Sequence, residues 1–257
     1  MLIGTDPEFF LENAEGKVIS AIDKIGGSKD KPKKLSKLGK GFAIQEDNVL
    51  LEYNLPPAKT VAKWLANHKK MTEYLVNMVG DMGLKLSNKA SHSMDPDQLD
   101  HPKAWVFGCE PDFNVWKLEW NKKPKCPDPA LRSAGGHIHI GYDDPNPAKS
   151  IKIARLCDLM IGAPLSKVDP DKKRTLLYGR PGAIRFKPYG LEYRTPSNYW
   201  VMNPHNVETV FFLVNQVLGM VDSYDKYAID CEQARKVLAG EAEDFTDYSS
   251  MIGHQYV

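Results

Sequence analysis

The ten residues Arg132-Ser133-Ala134-Gly135-Gly136-His137-Ile138-His139-Ile140-Gly141 constrain the fold more than any other stretch. A glycine-rich entry gives way to polar/apolar alternation, the pattern of a half-buried strand. On a strand, His137 and His139 share one face, and Ile138 and Ile140 the other. Two imidazoles on one face, beside backbone that glycine lets approach closely, suit a metal or phosphate site. The plain alternative is a half-buried strand with two incidental histidines.

Recurrence of the layout favours the site. Asp6-Pro7-Glu8 is an i, i+2 carboxylate pair in an apolar run, and Glu110-Pro111-Asp112 repeats it with the acids exchanged. Glu52 and Asn54 share a face in Val49–Leu55, as do Glu192 and Arg194 in Gly190–Thr195. An ordinary half-exposed sheet also alternates, but with Lys, Thr and Ser rather than acids, histidines and arginine. Five candidate strands therefore predict one sheet with a face on a core and a face lining a charged cleft.

The composition is that of a soluble globular chain: 257 residues, 42% hydrophobic, 26% charged, formal net charge +1. That charge gives no global electrostatic case for nucleic acid or a membrane. Cys109, Cys126, Cys157 and Cys231 are too widely spaced for a zinc ribbon or a disulfide framework. With no transmembrane run and no basic-then-apolar leader, a cytosolic protein is expected.

In chain order, residues 2–12 read as one strand and 15–23 as its return. A lysine- and glycine-rich segment over 24–41 is either a solvated loop or a lid carrying positive charge to a phosphorylated ligand. Gly26-Gly27-Ser28-Lys29 is its most phosphate-like part. Residues 42–55 form a strand pair ended by Pro56-Pro57. A helix follows over 60–84, with Val61, Leu65, Met71, Leu75, Met78, Val79 and Met82 as its core stripe and His68 structural beside it. Ala104–Trp116 carries the strand with Glu110 and Asp112. A helix over 148–165, capped by Asp144 or Asn146, ends near Pro164. An arginine- and glycine-rich stretch over 170–190 offers forks for phosphate or carboxylate. Pro204–Asp225 is the most apolar helix, expected on the sheet's outer face, and 229–239 a short last one. No linker is evident unless 118–130 marks one, so a single domain over 1–257 is expected.

Acids outnumber histidines among these candidates, and oxygen-rich donor sets favour magnesium or manganese over zinc. Such sites usually serve phosphate-bearing substrates, and Arg132, Arg180, Arg185 and Arg194 supply the complementary charge. There is no Gly-x-x-x-x-Gly-Lys-Ser/Thr loop, so this is not a P-loop enzyme.

Taken in order, these segments resemble the glutamine synthetase / glutamate–cysteine ligase superfamily. They are Gly4–Leu11, Glu52-Tyr53-Asn54-Leu55-Pro56-Pro57, Gly135-Gly136-His137-Ile138-His139 and Glu192-Tyr193-Arg194. The nearest likeness is to the short phage-type carboxylate–amine ligases (type 2 amidoligases), carried by Gly-Gly-His-Ile-His-Ile-Gly and Tyr-Gly-Leu-Glu-Tyr-Arg-Thr-Pro-Ser-Asn. The resemblance spans residues 2 to 200. It implies an α+β fold, a curved, mainly antiparallel half-barrel with helices on the convex face and two or more Mg2+ or Mn2+ ions in the concave one. It implies ATP-dependent activation of a carboxylate as an acyl phosphate, then attack by an amine.

Carried over by position, Glu8 and Glu52 hold one metal, and Asp6, His137 and Glu192 another. His139 faces the nucleotide, with Arg132 and Lys29 as further nucleotide contacts. Arg185 and Arg180 stabilise the transferring phosphoryl group, and Arg194 holds the substrate carboxylate or acyl phosphate. Asp6 stands where the superfamily usually has Glu. A further acid expected before Glu52 is either Glu46 or Asp47. Glu110 and Asp112 have no counterpart in glutamine synthetase and are candidates to hold metal or the incoming amine. Partners are small-molecule or peptide substrates, and the resemblance allows a homo-oligomer in the cytoplasm of an infected host cell. The competing readings are a kinase or metal-dependent hydrolase on the same scaffold, or a non-catalytic metal- or nucleotide-binding protein.

Overall fold

A computed structural model describes residues 1–106, 111–123, 125–227 and 236. Glu110 and, apart from Lys236, the expected 229–239 helix lie outside the described residues. The fold is mixed α/β, with antiparallel sheets and few helices. Its strands are β1 (Leu2–Thr5), β2 (Glu8–Phe9), β3 (Leu11–Glu12), β4 (Val18–Ile19), β5 (Lys33–Lys34), β6 (Ala43–Asp47), β7 (Leu50–Asn54) and β8 (Lys85–Leu86). These are followed by β9 (Ser91–Ser93), β10 (Phe113–Asn114), β11 (Glu119–Trp120), β12 (Leu131–Ser133), β13 (Ile138–Gly141), β14 (Ala183–Lys187) and β15 (Gly190–Tyr193). The helices are α1 (Val61–Gly80), α2 (Pro147–Cys157), α3 (Ala163–Val168) and α4 (Pro204–Met220).

Among the described residues the single expected sheet is four. Strands run β1-β13-β15-β14-β10-β11 in the largest, β2-β7-β6-β5 in the second, β4-β3-β8 in the third and β12-β9 in the last. The expected strand over 2–12 is broken into β1, β2 and β3, one in each of the first three sheets. Pro7 explains the first break: it has no N–H to donate and disfavours continuation of a ladder. The chain steps between sheets at Asp6-Pro7, and that step builds the site.

In the six-stranded sheet, Gly4, His139, Glu192 and Arg185 lie in one cross-strand row. Period-two alternation puts Ile3, Ile138, Ile140, Ile184, Leu191 and Tyr193 on the other face, all buried in the main core. Within that core α2 packs against β14 and β15, while α4 packs mainly on α1 and α2. The expectation that α4 covers the sheet is thus corrected: its buried side, Val207, Val210, Phe211, Leu213, Val214 and Val217, packs chiefly among helices.

Helix α1 starts at the Thr60 cap, whose hydroxyl accepts from Lys63 N. Its buried stripe is Trp64, Asn67, His68, Met71, Leu75 and Val79, and Met82 lies past its end, exposed. Trp64 anchors it, donating to Val207 O at 2.8 Å and stacking on Trp200. His68 packs edge-on against both indoles and, as expected, is structural. The helix expected to end at Pro164 instead continues into α3 through a π-turn at Asp158–Gly162. Pro164 falls in the first turn of α3, where its missing N–H costs least. Residues 102–105 are a 3-10 turn rather than strand, and among the described residues of the expected 104–116 strand Phe113–Asn114 are the strand. Among the described residues no helix is long and apolar enough to cross a membrane.

Candidate active site

Two carboxylate clusters meet where the chain steps between sheets. Asp6, His137 and Glu192 bring ligand atoms within 4.8 Å of one another, and Glu8, Asp47 and Glu52 do the same. Asp6 and Glu8 are two residues apart yet belong to different clusters, because Pro7 turns the chain from one sheet toward the next.

Gly135 joins the two clusters. Its N–H donates to Glu8 Oε2 at 2.6 Å, and its carbonyl accepts from Glu8 N at 2.9 Å. A Cβ there would lie 2.4 Å from His137 Nε2, so only glycine lets the imidazole fold back over it. At Gly136 a Cβ would meet Ser197 O at 2.3 Å. The glycine pair thus serves the close approach its sequence suggests. Thr5 Oγ1 donates to His137 O at 2.6 Å, and Asn198 Nδ2 donates to Glu8 O at 3.0 Å, fixing both segments.

In the second cluster Glu8 pairs with Glu52 across β2 and β7, and Gln45 pairs with Glu52 across β7 and β6. Gln45 donates to Glu52 Oε2 at 2.8 Å. Two residues along β6, Asp47 joins the same face. Glu46 points away and accepts from Ile25 N and Gly26 N, tying down the lysine-rich segment. By geometry it is Asp47 rather than Glu46 that joins the carboxylate cluster.

The two clusters differ in charge balance. Burial, with Asp47 adding like charge, pushes Glu8 up to about 8. Burial raises Asp47 and Glu52 too, and for Glu52 the surrounding Asp6, Glu8 and Asp47 add to it. In the first cluster burial opposes ionisation of Glu192, but Arg194, His137 and Arg185 hold it down at about 2. Arg194 contacts Glu192 closely, Lys187 Nζ lies 2.8 Å from it and Arg185 Nη1 3.3 Å. Burial works against the Asp6 carboxylate as well, yet His139 and His137 keep it below the usual range. His137 is lowered to about 4 by burial and by Arg194. Burial also disfavours charge on His139, but Asp6, 3.0 Å from its Nε2, more than offsets this, and its Nδ1 meets the Tyr189 hydroxyl. Three crowded, buried carboxylates with raised affinity for protons are a donor set that a divalent cation fits.

Both clusters line one cleft of ≈840 Å³, together with Lys29, Lys34, Lys40 and Phe42. Of the candidates from sequence, the fold brings Asp6, Glu8, Lys29, Glu52, His137, Arg185, Glu192 and Arg194 to this cleft, with His139 against Asp6. Asp112 stands one step away, 3.7 Å from Arg194 Nε, and joins neither carboxylate cluster. Arg180 is exposed and lines a different cavity. Arg132 is buried under Trp105 and donates to Asn48 Oδ1 and to the carbonyls of Ala104, Pro129 and Leu131. Its fork is a structural clamp, a correction to the nucleotide contact expected of it. Glu110 lies outside the described residues.

Sequence reasoning missed Lys187, Tyr189, Asn198 and Asp158. Lys187 was legible: it alternates with Arg185 on β14, facing Glu192. Asp158 was not, because it sits in an irregular turn. Wholly buried, it accepts from Tyr193 Oη at 2.6 Å, Thr195 Oγ1 at 3.1 Å and Trp116 Nε1 at 2.5 Å. It thereby grips both neighbours of Arg194. Buried Arg174 completes the clamp by donating to the carbonyls of Ala134, Arg194 and Thr195.

Residues 130–253, just under half of the 257, match the family model "Phage phiEco32-like COOH.NH2 ligase-type 2". Solved structures described as "GmaS/ADP complex-Conformation 1" and "Apo GmaS without ligand" align at TM-scores of 0.48 and 0.43 with 13% identity. In each case 99% of this chain and 68% of the other is covered. No curated protein matches the sequence. The family match points the same way as the motifs: residues 130–253 are similar to a phage-type carboxylate–amine ligase, which indicates a C–N bond-forming ligase.

Proposed function

We propose that the protein joins a carboxylate to an amine at the expense of ATP, by way of an acyl phosphate. The observation that carries this is the pair of facing carboxylate clusters opening onto one cleft lined by Lys29, Arg185, Lys187 and Arg194. Condensing a free carboxylate with an amine in water is unfavourable, so a ligase needs an activating group, and phosphoryl transfer supplies one. A carboxylate oxygen attacks the terminal phosphorus of ATP, releasing ADP. The amine nitrogen then attacks the acyl carbon and loses a proton, and the C–O bond to phosphate breaks.

In this reading Glu8, Asp47 and Glu52 hold one divalent ion, and Asp6, His137 and Glu192 a second. Mg2+ or Mn2+ there would neutralise and orient the nucleotide phosphates. Arg185 presents its fork to the transferring phosphoryl group, and Lys29 lines the same cleft. Arg194, gripped on both sides, faces the acyl oxygen, where a fixed cation stabilises developing charge most. His139, paired with Asp6, sits at the edge toward the nucleotide. Because the cleft draws on both halves of the chain, residues 1–257 act as one catalytic domain. The superfamily's curved half-barrel and a place in the cytosol of an infected host cell belong to the same reading.

The test is ADP release from Mg-ATP against panels of carboxylates and amines. The ligase reading predicts that ADP forms only when both partners are present. Steady release with a carboxylate or hydroxyl acceptor alone would identify a kinase, and release with water alone a hydrolase.

A further inference from the structure

A second cavity, of ≈590 Å³, lies beside the carboxylate-lined cleft: Asp112 lines the one, and its ion-pair partner Arg194 the other. It lies in the size range of small-molecule sites. Its wall holds Asp112, whose Oδ2 is 3.7 Å from Arg194 Nε and whose Oδ1 accepts from Asn121 at 2.6 Å. A narrow space of ≈40 Å³ lies between the two, sharing Leu177 and Tyr178 with the second cavity and Glu8, His137 and Arg194 with the cleft. The second cavity is therefore the side from which a group can reach Arg194 without passing through the cleft.

Its lining is specific. Trp105 is half exposed yet fixed, donating to Leu99 O at 2.8 Å with Arg132 5.3 Å from its ring centroid. Beside it stand Leu177 and Tyr178, so one wall is flat and apolar. Lys122, Lys123, Lys125 and Arg180 supply four cations. The three lysines form no ion pair among the described residues. Asp128 is turned into its own loop, accepting from Ala130 N at 2.8 Å, and Asp112 faces Arg194. The cavity thus offers one carboxylate near the reacting end and a cationic rim.

We propose that this cavity seats the amine substrate of the ligase, and that this amine carries an anionic group of its own. Its ammonium lies by Asp112, its carbon skeleton on Trp105 and Tyr178, and its carboxylate or phosphate on the lysine rim. Ammonia or methylamine would need neither the volume nor the rim. The inference rests on the ligase reading, and the test separates the two.

Free, partly buried Cys126 lines the cavity and reports occupancy through its rate of alkylation by N-ethylmaleimide, followed by peptide mass spectrometry. L-glutamate and O-phosphoethanolamine are the two probes, one bearing a carboxylate and the other a phosphate, with methylamine and succinate as controls. A bound probe slows alkylation by 1 + [L]/Kd, about tenfold at ten times Kd. Protection by either anionic amine, absent with methylamine and succinate and lost in a Lys122→Glu/Lys123→Glu variant, supports the inference. Which probe protects distinguishes carboxylate from phosphate. Absence of protection by both, equal protection in the charge-reversed variant, or protection by ATP alone overturns it. Thermal shifts with Mg-ATP run in parallel. A shift without Cys126 protection defeats only the inference; protection without a shift defeats the ligase reading and leaves a cavity for anionic amines.

Discussion

Asp47 and Glu46 are adjacent acids of equal charge, and their roles are set by which face of β6 each occupies. Asp47 shares a face with Gln45 and so with Glu52, while Glu46 caps the backbone N–H groups of Ile25 and Gly26. Asp47→Asn is expected to weaken Mn2+ binding by roughly 10–100-fold, and Glu46→Gln to leave it within a few-fold. Equal losses in titration calorimetry would contradict the assignment. His68 makes a different residue-scale prediction. Burial alone pushes it down to about 3 from an ordinary value of 6.5, and neither ring nitrogen has a hydrogen-bond partner among the described residues. Folding holds the neutral form, so the stability it contributes is complete above pH ~6.5 and is lost as pH falls toward ~3. Between pH 7 and 5 the loss is on the order of 2 kcal/mol. His68→Leu is expected to flatten that slope in guanidinium unfolding series. Parallel curves for the two proteins would refute it.

At the scale of elements, the π-turn between α2 and α3 is what holds β15 and the start of its following loop in place. Asp158→Ala removes the acceptor of the buried Tyr193 hydroxyl and of the part-buried Trp116 indole, while Thr195 keeps Arg180 O, and is expected to cost about 2–4 kcal/mol, together with a marked loss of turnover through displacement of Arg194. Retained stability in chemical denaturation would show that the clamp is dispensable. The same scale explains what the sequence made legible. The His137/His139, Glu192/Arg194 and Arg185 rows were readable because they lie in or directly beside the regular strands β13, β15 and β14, where a period of two fixes the face. The six residues Asp6 to Leu11 were not, because a proline step places two neighbouring acids in different clusters, and no periodicity encodes a change of sheet. Register was hidden as well: Gln45 opposite Glu52 decides that Asp47 belongs to the site, and only the formed hairpin shows it. Asp158 was illegible for a third reason, since a lone buried acid in an irregular helical turn has no pattern around it.

For the whole molecule, the site exists because two sheets end at the same place. The six-stranded sheet contributes a cation-balanced cluster around Glu192, and the four-stranded sheet contributes one with an excess of carboxylates around Glu52. The asymmetry suits a chain that holds one cation at each cluster and positions phosphate beside the one flanked by Arg185, Lys187 and Arg194. The most direct test is the number of Mn2+ ions bound per chain in the presence of ATP, counted by equilibrium dialysis. The account predicts two ions for the wild-type protein and one each for the Glu8→Gln and Glu192→Gln variants, with circular dichroism unchanged. Failure of the wild-type protein to bind Mn2+, or a count that neither substitution alters, would contradict it.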